Sequence, residues 1–81
     1  MKLFYTERFR RQYESAPHEI QRAFDRRAAF LIKDLRHPSL RAKKYDERLG
    51  VWQASVTNAW RFYFTIEGDV YHLLAIISHP K

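Results

Sequence analysis

Arg61 stands between Trp60 and Phe62 in the stretch WRFYFTI, with Tyr63 two residues further on. A charge in the middle of such a run needs a reason. Either it lies on a solvated face, or its planar fork of N–H donors is there for a ligand, and that fork matches two phosphate oxygens. A second group stands at the end of the sequence, where VYHLLAIISHPK carries His79 almost to the last residue. An imidazole takes up and gives back a proton near neutral pH. A third element is PSLRAKKYDERLG (residues 38–50), which supplies Arg41, Lys43 and Lys44 just before the aromatic strands. An arginine, a tyrosine and a histidine around one concave sheet face suit a phosphodiester: positive charge for the phosphate, and a proton donor or acceptor beside it. The plainer alternatives are a solvated arginine and a chain end without a role.

The remaining histidines say less. His18 falls in the first turn of a helix, and His37 at a helix stop before Pro38. His72 and His79 are seven apart on one strand, so strict alternation puts them on opposite faces and they make no metal pair. The sequence has no Gly-rich phosphate loop and no paired His motif on a helix. It has no cysteine, which removes disulfides, thiolate zinc sites and a cysteine nucleophile together, and fits a reducing cytoplasm. Fifteen Lys and Arg against nine Asp and Glu give a net charge of +6 on 81 residues, the footprint of a partner for a polyanion, nucleic acid first. No run approaches the ~20 apolar residues of a membrane-spanning helix. MKLFYTERF lacks the apolar centre of a signal peptide.

Elements that would position these groups follow from the periodicity of a single domain covering residues 1–81. KLFYT reads as a short strand, and Thr6 caps a helix from Glu7 to about Tyr13. Pro17 suits the first turn of a second helix, in which Ile20, Phe24, Ala28, Leu31 and Leu35 recur at helical spacing until RHPS stops it. Residues 38–50 read as a basic, irregular segment. After Gly50 the period becomes two. Trp52, Ala54 and Val56 share one face with Trp60, Phe62, Phe64 and Ile66, and Gln53, Ser55, Arg61 and Tyr63 share the other. TNA and EGD are turn signals between strands. The expected fold is α+β: a small, mostly antiparallel four-stranded sheet packed on an N-terminal helical hairpin. Alternation alone groups His79 with Tyr71, Leu73, Ala75 and Ile77, and His72 with Leu74, Ile76 and Ser78. It does not say which set faces out.

This order of elements, with RHPSLRAKKY before the sheet, GVWQASVTNAWRFYF within it and LLAIISHPK at its end, resembles the RelE/ParE toxin superfamily of bacterial toxin–antitoxin systems, nearest the RelE, YoeB, HigB and YafQ group. The resemblance runs over nearly the whole sequence. The G-x-W and R-x-x-[YF] spacing with the near-terminal histidine is specific as a set, and weak piece by piece. It implies a RelE-like fold and a metal-independent endoribonuclease, an mRNA interferase acting in the ribosomal A site. The ribose 2′-OH would attack the adjacent phosphate. Implied partners are a cognate antitoxin, mRNA and the ribosome, with no cofactor and no membrane.

By the same resemblance Arg61 aims at the phosphate and His79 is an acid or base. Glu47, or Asp46, stands near the general base of YoeB-like members. Arg41, Lys43, Lys44, Tyr63 and Lys81 hold RNA or the ribosome. The sequence also departs from the pattern. Ala54 and Ser55 stand where active members carry a second basic residue or a histidine. Ile77 stands where several have an arginine, and Pro80 where YoeB-like proteins have a tyrosine. A ParE-like inhibitor of DNA gyrase, or a silent binding module on the same fold, are the rival expectations.

Overall fold

The computed structural model describes residues 1–79, so the expectations for Lys81 and Pro80 lie outside the described residues. Eight elements follow in chain order: β1 (Lys2–Tyr5), α1 (Glu7–Ser15), α2 (His18–Lys33), a 3₁₀ turn (Pro38–Leu40), β2 (Lys43–Asp46), β3 (Val51–Ser55), β4 (Trp60–Glu67) and β5 (Val70–Ser78). The strands form one sheet in the order β1-β5-β4-β3-β2. β1 runs parallel to β5, and every other neighbouring pair is antiparallel. Neither helix is long and apolar enough to cross a membrane.

The architecture is the expected α+β layering, but the sheet has five strands rather than four. The extra one is β2, cut from the segment read as irregular. KKYD shows no apolar alternation because β2 is an edge strand, with Lys43, Lys44 and Tyr45 exposed. Its pairing comes from the β3 backbone, with Lys43 opposite Gln53 and Lys44 opposite Trp52. Lysines on an edge strand also discourage further strands from adding there.

Thr6 joins the sheet to the helices. Its side chain accepts from the Phe9 N–H at 3.2 Å and so caps α1. The same hydroxyl donates to the Leu73 carbonyl at 2.7 Å. β1 stops there, pairing with β5 only as far as Leu73. Beyond it, Gln12 of α1 accepts the Ile76 N–H at 3.0 Å. A helix side chain thus satisfies a buried donor that β1 is too short to reach. α2 ends at Lys33, and Leu35, expected on its apolar stripe, packs on the core from the loop beyond.

The inner sheet face meets the hairpin through aromatic rings. Phe24 of α2 lies edge-on to Phe62 of β4 at 5.1 Å between centroids, and 5.0 Å from Phe9 of α1. Phe9, Phe24, Leu31, Leu40, Val56, Phe62, Phe64, Leu73 and Ile76 are all buried. Two-residue turn chemistry appears where expected at Gly68, whose φ of 59° lets β4 fold back into β5.

One irregularity in the sheet decides what the outer face carries. Tyr63 pairs with Ala75, yet Phe64 pairs with Leu73, leaving Leu74 as an extra residue in β5. Such a bulge reverses alternation past it. Tyr71 and Leu73 before it, and Ile76 after it, therefore all point into the core. Ala75 and Ile77 stand on the outer face opposite Tyr63 and Arg61. Neither of the two sets given by strict alternation survives. His72, opposite Thr65, is on the outer face as well, so the expectation that His72 and His79 lie on opposite faces is corrected.

Candidate functional site

The outer face of β2, β3 and β4 forms the floor of a cavity of about 570 Å³. Gln53 and Ser55, each 8% exposed, lie in that floor. Around it stand Arg61, His79, Arg41 and Lys43. Five of the sequence-predicted residues thus line one cavity: Arg61 from the start of β4, His79 from just past β5, Arg41 from the loop after the 3₁₀ turn, and Lys43 and Lys44 from β2.

Arg61 is half-buried, and one of its nitrogens is already engaged. Nη1 donates to the carbonyls of Thr57 at 2.6 Å, Asn58 at 3.1 Å and Trp60 at 3.1 Å. The β3–β4 turn therefore holds the guanidinium in place. Among the described residues, every Arg61 side-chain hydrogen bond runs through Nη1. That leaves the Nε and Nη2 edge, whose two parallel N–H groups form the fork for paired phosphate oxygens. Ser55, directly opposite Arg61 in the sheet, donates its hydroxyl to the same Thr57 carbonyl at 3.1 Å.

His79 reaches the cavity because of the bulge. Past Leu74 the outward set is Ala75, Ile77 and then His79. Its backbone N–H donates to the Ala59 carbonyl at 2.6 Å, which ties the end of β5 to the turn that also holds Arg61. Ile77, where an arginine was noted as absent, is cross-strand from Arg61 and 39% exposed.

Arg41 follows the 3₁₀ turn in the left-handed region, at φ 48° and ψ 41°. For a residue with a Cβ this costs roughly 1–2 kcal/mol. The turn before it is capped by His37, whose Nδ1 accepts the Ser39 N–H at 3.1 Å and whose ring stacks on Phe30 at 3.9 Å. His37 is structural in that sense.

The other expected residues are placed differently. Lys44 borders the cavity, but its ammonium sits 5.4 Å from the Trp52 ring centroid. Trp52 stacks on the buried Phe64, so that charge is on the opposite side of the sheet from Lys43. Tyr63 is not in the cavity wall. Its hydroxyl accepts from Gln53 Nε2 at 2.9 Å and its ring meets Tyr45 edge-on at 5.0 Å, so it supports two residues that are. Glu47 and Asp46 do not join the cluster. Glu47 is exposed in the β2–β3 turn and is not among the residues that line the cavity. Asp46 is spent on that turn, accepting the Leu49 N–H at 3.1 Å. Tyr45 was missed by sequence reasoning. It occupies the irregular position of β2 between Lys44 and Asp46, and a segment read as a loop gives no signal of facing.

Among the described residues the charge around the cavity is uncompensated. Its lining, within the described residues, contains no carboxylate. Among the described residues the single contact between basic and acidic side chains is His72 with Glu67 at 3.7 Å, elsewhere on the sheet. No three His, Asp or Glu side chains among them gather to hold a metal ion.

This arrangement can be set beside proteins of known structure. A YoeB/ParE toxin from Agrobacterium tumefaciens superposes with a TM-score of 0.80 at 15% identity, covering 99% of this chain and 100% of that one. YafQ from E. coli gives 0.80 at 13%, covering 95% and 91%. A chain of the toxin–antitoxin complex RelBE2 from Mycobacterium tuberculosis gives 0.77 at 19%, covering 98% and 96%. The fold is that of the RelE/ParE toxins. No protein-family model matches the sequence, and no curated protein matches it in sequence. The order of elements that carried the resemblance is therefore upheld in three dimensions, where sequence comparison is silent.

Proposed function

We propose that this protein is the toxin of a type II toxin–antitoxin pair, a metal-independent endoribonuclease that cleaves mRNA in the ribosomal A site. The observation that carries this reading is the cavity on the outer sheet face, where Arg61, Arg41, Lys43 and His79 meet with no carboxylate among the described residues of the lining. The RelE-type fold supports it.

In this reading the free Nε and Nη2 edge of Arg61 holds the scissile phosphate and stabilises the charge that builds when the 2′-OH attacks. Oriented donors of this kind act on the transition state more than on the bound substrate. His79 moves a proton, to the departing 5′-oxygen or from the 2′-OH. With Glu47 outside the cavity, the second proton transfer falls to water or to a group of the ribosome. Lys43 and Arg41 hold neighbouring RNA, and Lys44 and Lys81 add charge toward ribosomal RNA. Tyr63 acts indirectly, by fixing Gln53. An antitoxin would cover this basic face with an acidic segment that orders on binding.

The test is primer extension on a reporter mRNA after induced expression in a bacterium. Wild type should arrest growth and leave new 5′ ends inside translated codons. Arg61→Ala and His79→Ala should each abolish those ends, while Glu47→Gln should keep them. A protein whose Arg61→Ala variant cleaves as well as wild type is not this nuclease.

One observation favours a second reading. Arg61 already spends Nη1 on three turn carbonyls, and β3 offers Ala54 and Ser55 rather than a second base. A ParE-like inhibitor that binds DNA gyrase needs no such base. Loss of gyrase supercoiling in the presence of the purified protein, with mRNA intact, would select it.

A further inference from the structure

Arg27 was assigned no role by its sequence, since it falls among the polar residues of α2. In the fold it reaches the same β3–β4 turn that Arg61 grips. Its Nε donates to the carbonyl of the buried Val56 at 3.2 Å. The two arginines thus hold one turn from two sides, Arg27 at Val56 and Arg61 at Thr57, Asn58 and Trp60. Each spends one nitrogen on backbone. Arg27 keeps both Nη groups, an end-on fork of N–H donors, and has no carboxylate contact among the described residues.

Arg27 lines a second cavity, of about 340 Å³, whose lining among the described residues again contains no carboxylate. Ser39, Thr57 and Asn58 border it, and it shares Arg41 and Ser55 with the larger cavity. The two concavities are therefore neighbours across Arg41, the residue held in the left-handed conformation. A cavity with an anchored guanidinium, hydroxyl and amide groups, and no acidic side chain selects a phosphate. Two such cavities sharing one arginine select two phosphates on one strand.

We propose that Arg27 forms a second phosphate subsite, next to the one at Arg61, which holds the RNA phosphate adjoining the scissile one. This rests on the reading of the larger cavity as a phosphodiester site. It adds a binding register: substrate is gripped at two consecutive phosphates, on either side of Arg41, by side chains from α2 and β4.

The probes are 2′-O-methyl ApA, which cannot be cleaved, and the same dinucleotide with one added terminal phosphate, pApA or ApAp. Binding to the full chain is followed by NMR titration, and the readout is the ratio of the ApA dissociation constant to that of the phosphorylated form. Taking the ratio for each variant cancels general losses of affinity. In wild type one of the two added phosphates should tighten binding roughly tenfold, the weight of one charge-assisted contact. In Arg27→Gln that gain should fall below about twofold. Arg27→Gln also removes the bond to Val56 and so risks loosening the turn. Asn58→Asp leaves Arg27 in place and sets a negative charge in the subsite, and it should erase the gain as well. If ApA binding needs Arg61 but the gain survives both variants, the subsite at Arg27 is wrong while the larger cavity stands. If ApA binding does not need Arg61, the reading of the larger cavity fails and the second subsite fails with it.

Discussion

Two concave regions of this small protein make an instructive pair. One lies on the helical side, between α1 and α2, about 300 Å³ and walled by Tyr5, Phe9, Tyr13 and Phe24. The other is the basic cavity on the outer sheet face. In the helical groove Arg10 has two carboxylates, Glu14 and Asp25, in the same lining, and Tyr13 finds partners. The Tyr13 hydroxyl donates to both Asp25 oxygens, at 3.0 and 3.2 Å, and the Tyr13 carbonyl accepts from Gln21 at 2.7 Å. On the sheet, arginines and lysines are brought together and, among the described residues, left without carboxylates. Shape does not separate the two regions. Unspent charge does, because a fold gathers uncompensated cations only at a cost in self-repulsion, and an anionic ligand removes that cost.

The comparison is broken most severely on the helical side. Phe24→Ala removes the ring that joins α1, α2 and β4, and should lower stability by about 3–5 kcal/mol. Chemical denaturation would show it, and a loss under 1 kcal/mol would mean that the hairpin does not rest on this ring. Function, by contrast, should fail on the sheet without loss of fold. Arg61→Ala should slow mRNA cleavage on programmed ribosomes roughly 10²–10³-fold, with a far-ultraviolet circular dichroism spectrum like that of wild type. Lys43→Ala should be milder. It removes one contact, so the slope of log affinity for single-stranded RNA against log salt should shrink by about 0.7. An unchanged slope would take Lys43 out of the interface.

Arg41→Gly sharpens the contrast within one residue. Relief of the left-handed strain should raise stability by about 1 kcal/mol, while RNA affinity falls. A protein that became more stable and bound RNA as before would show that the strained arginine is not held there for a ligand. The smallest effect is on the helical side. Burial first, and then the bond to Asp25, push the Tyr13 phenol above its ordinary value near 10. A raised folded value means that stability is full below the unfolded value and falls as pH rises past it, since the unfolded chain ionises first. Tyr13→Phe should therefore flatten the loss of stability above about pH 10, seen as a smaller drop in melting temperature between pH 9 and about pH 11.

Much of this protein was legible in the residues alone. Helical spacing of Ile20, Phe24, Ala28 and Leu31 placed α2, because an apolar stripe at that period can be buried in only one way. Alternation in β3 and β4 put Arg61 on the outer face with Gln53, Ser55 and Tyr63, because side chains in a strand have a period of two. Tertiary pairing decided the rest. The extra residue at Leu74 exists only as a mismatch between β4 and β5, and that mismatch turned His79 toward Arg61. β2 is a strand because β3 offers it an edge, whatever its own composition. Glu47 was near the site in sequence and is outside it in space, since a turn carries it away. Arg27 was remote in sequence and lies beside the site, since packing of α2 lets its guanidinium reach a carbonyl 29 positions further along the chain. Local periodicity is a property of one segment and can be read from it. The meeting of charged groups from α2, β2, β4 and β5 is a property of their pairing, which no single segment contains.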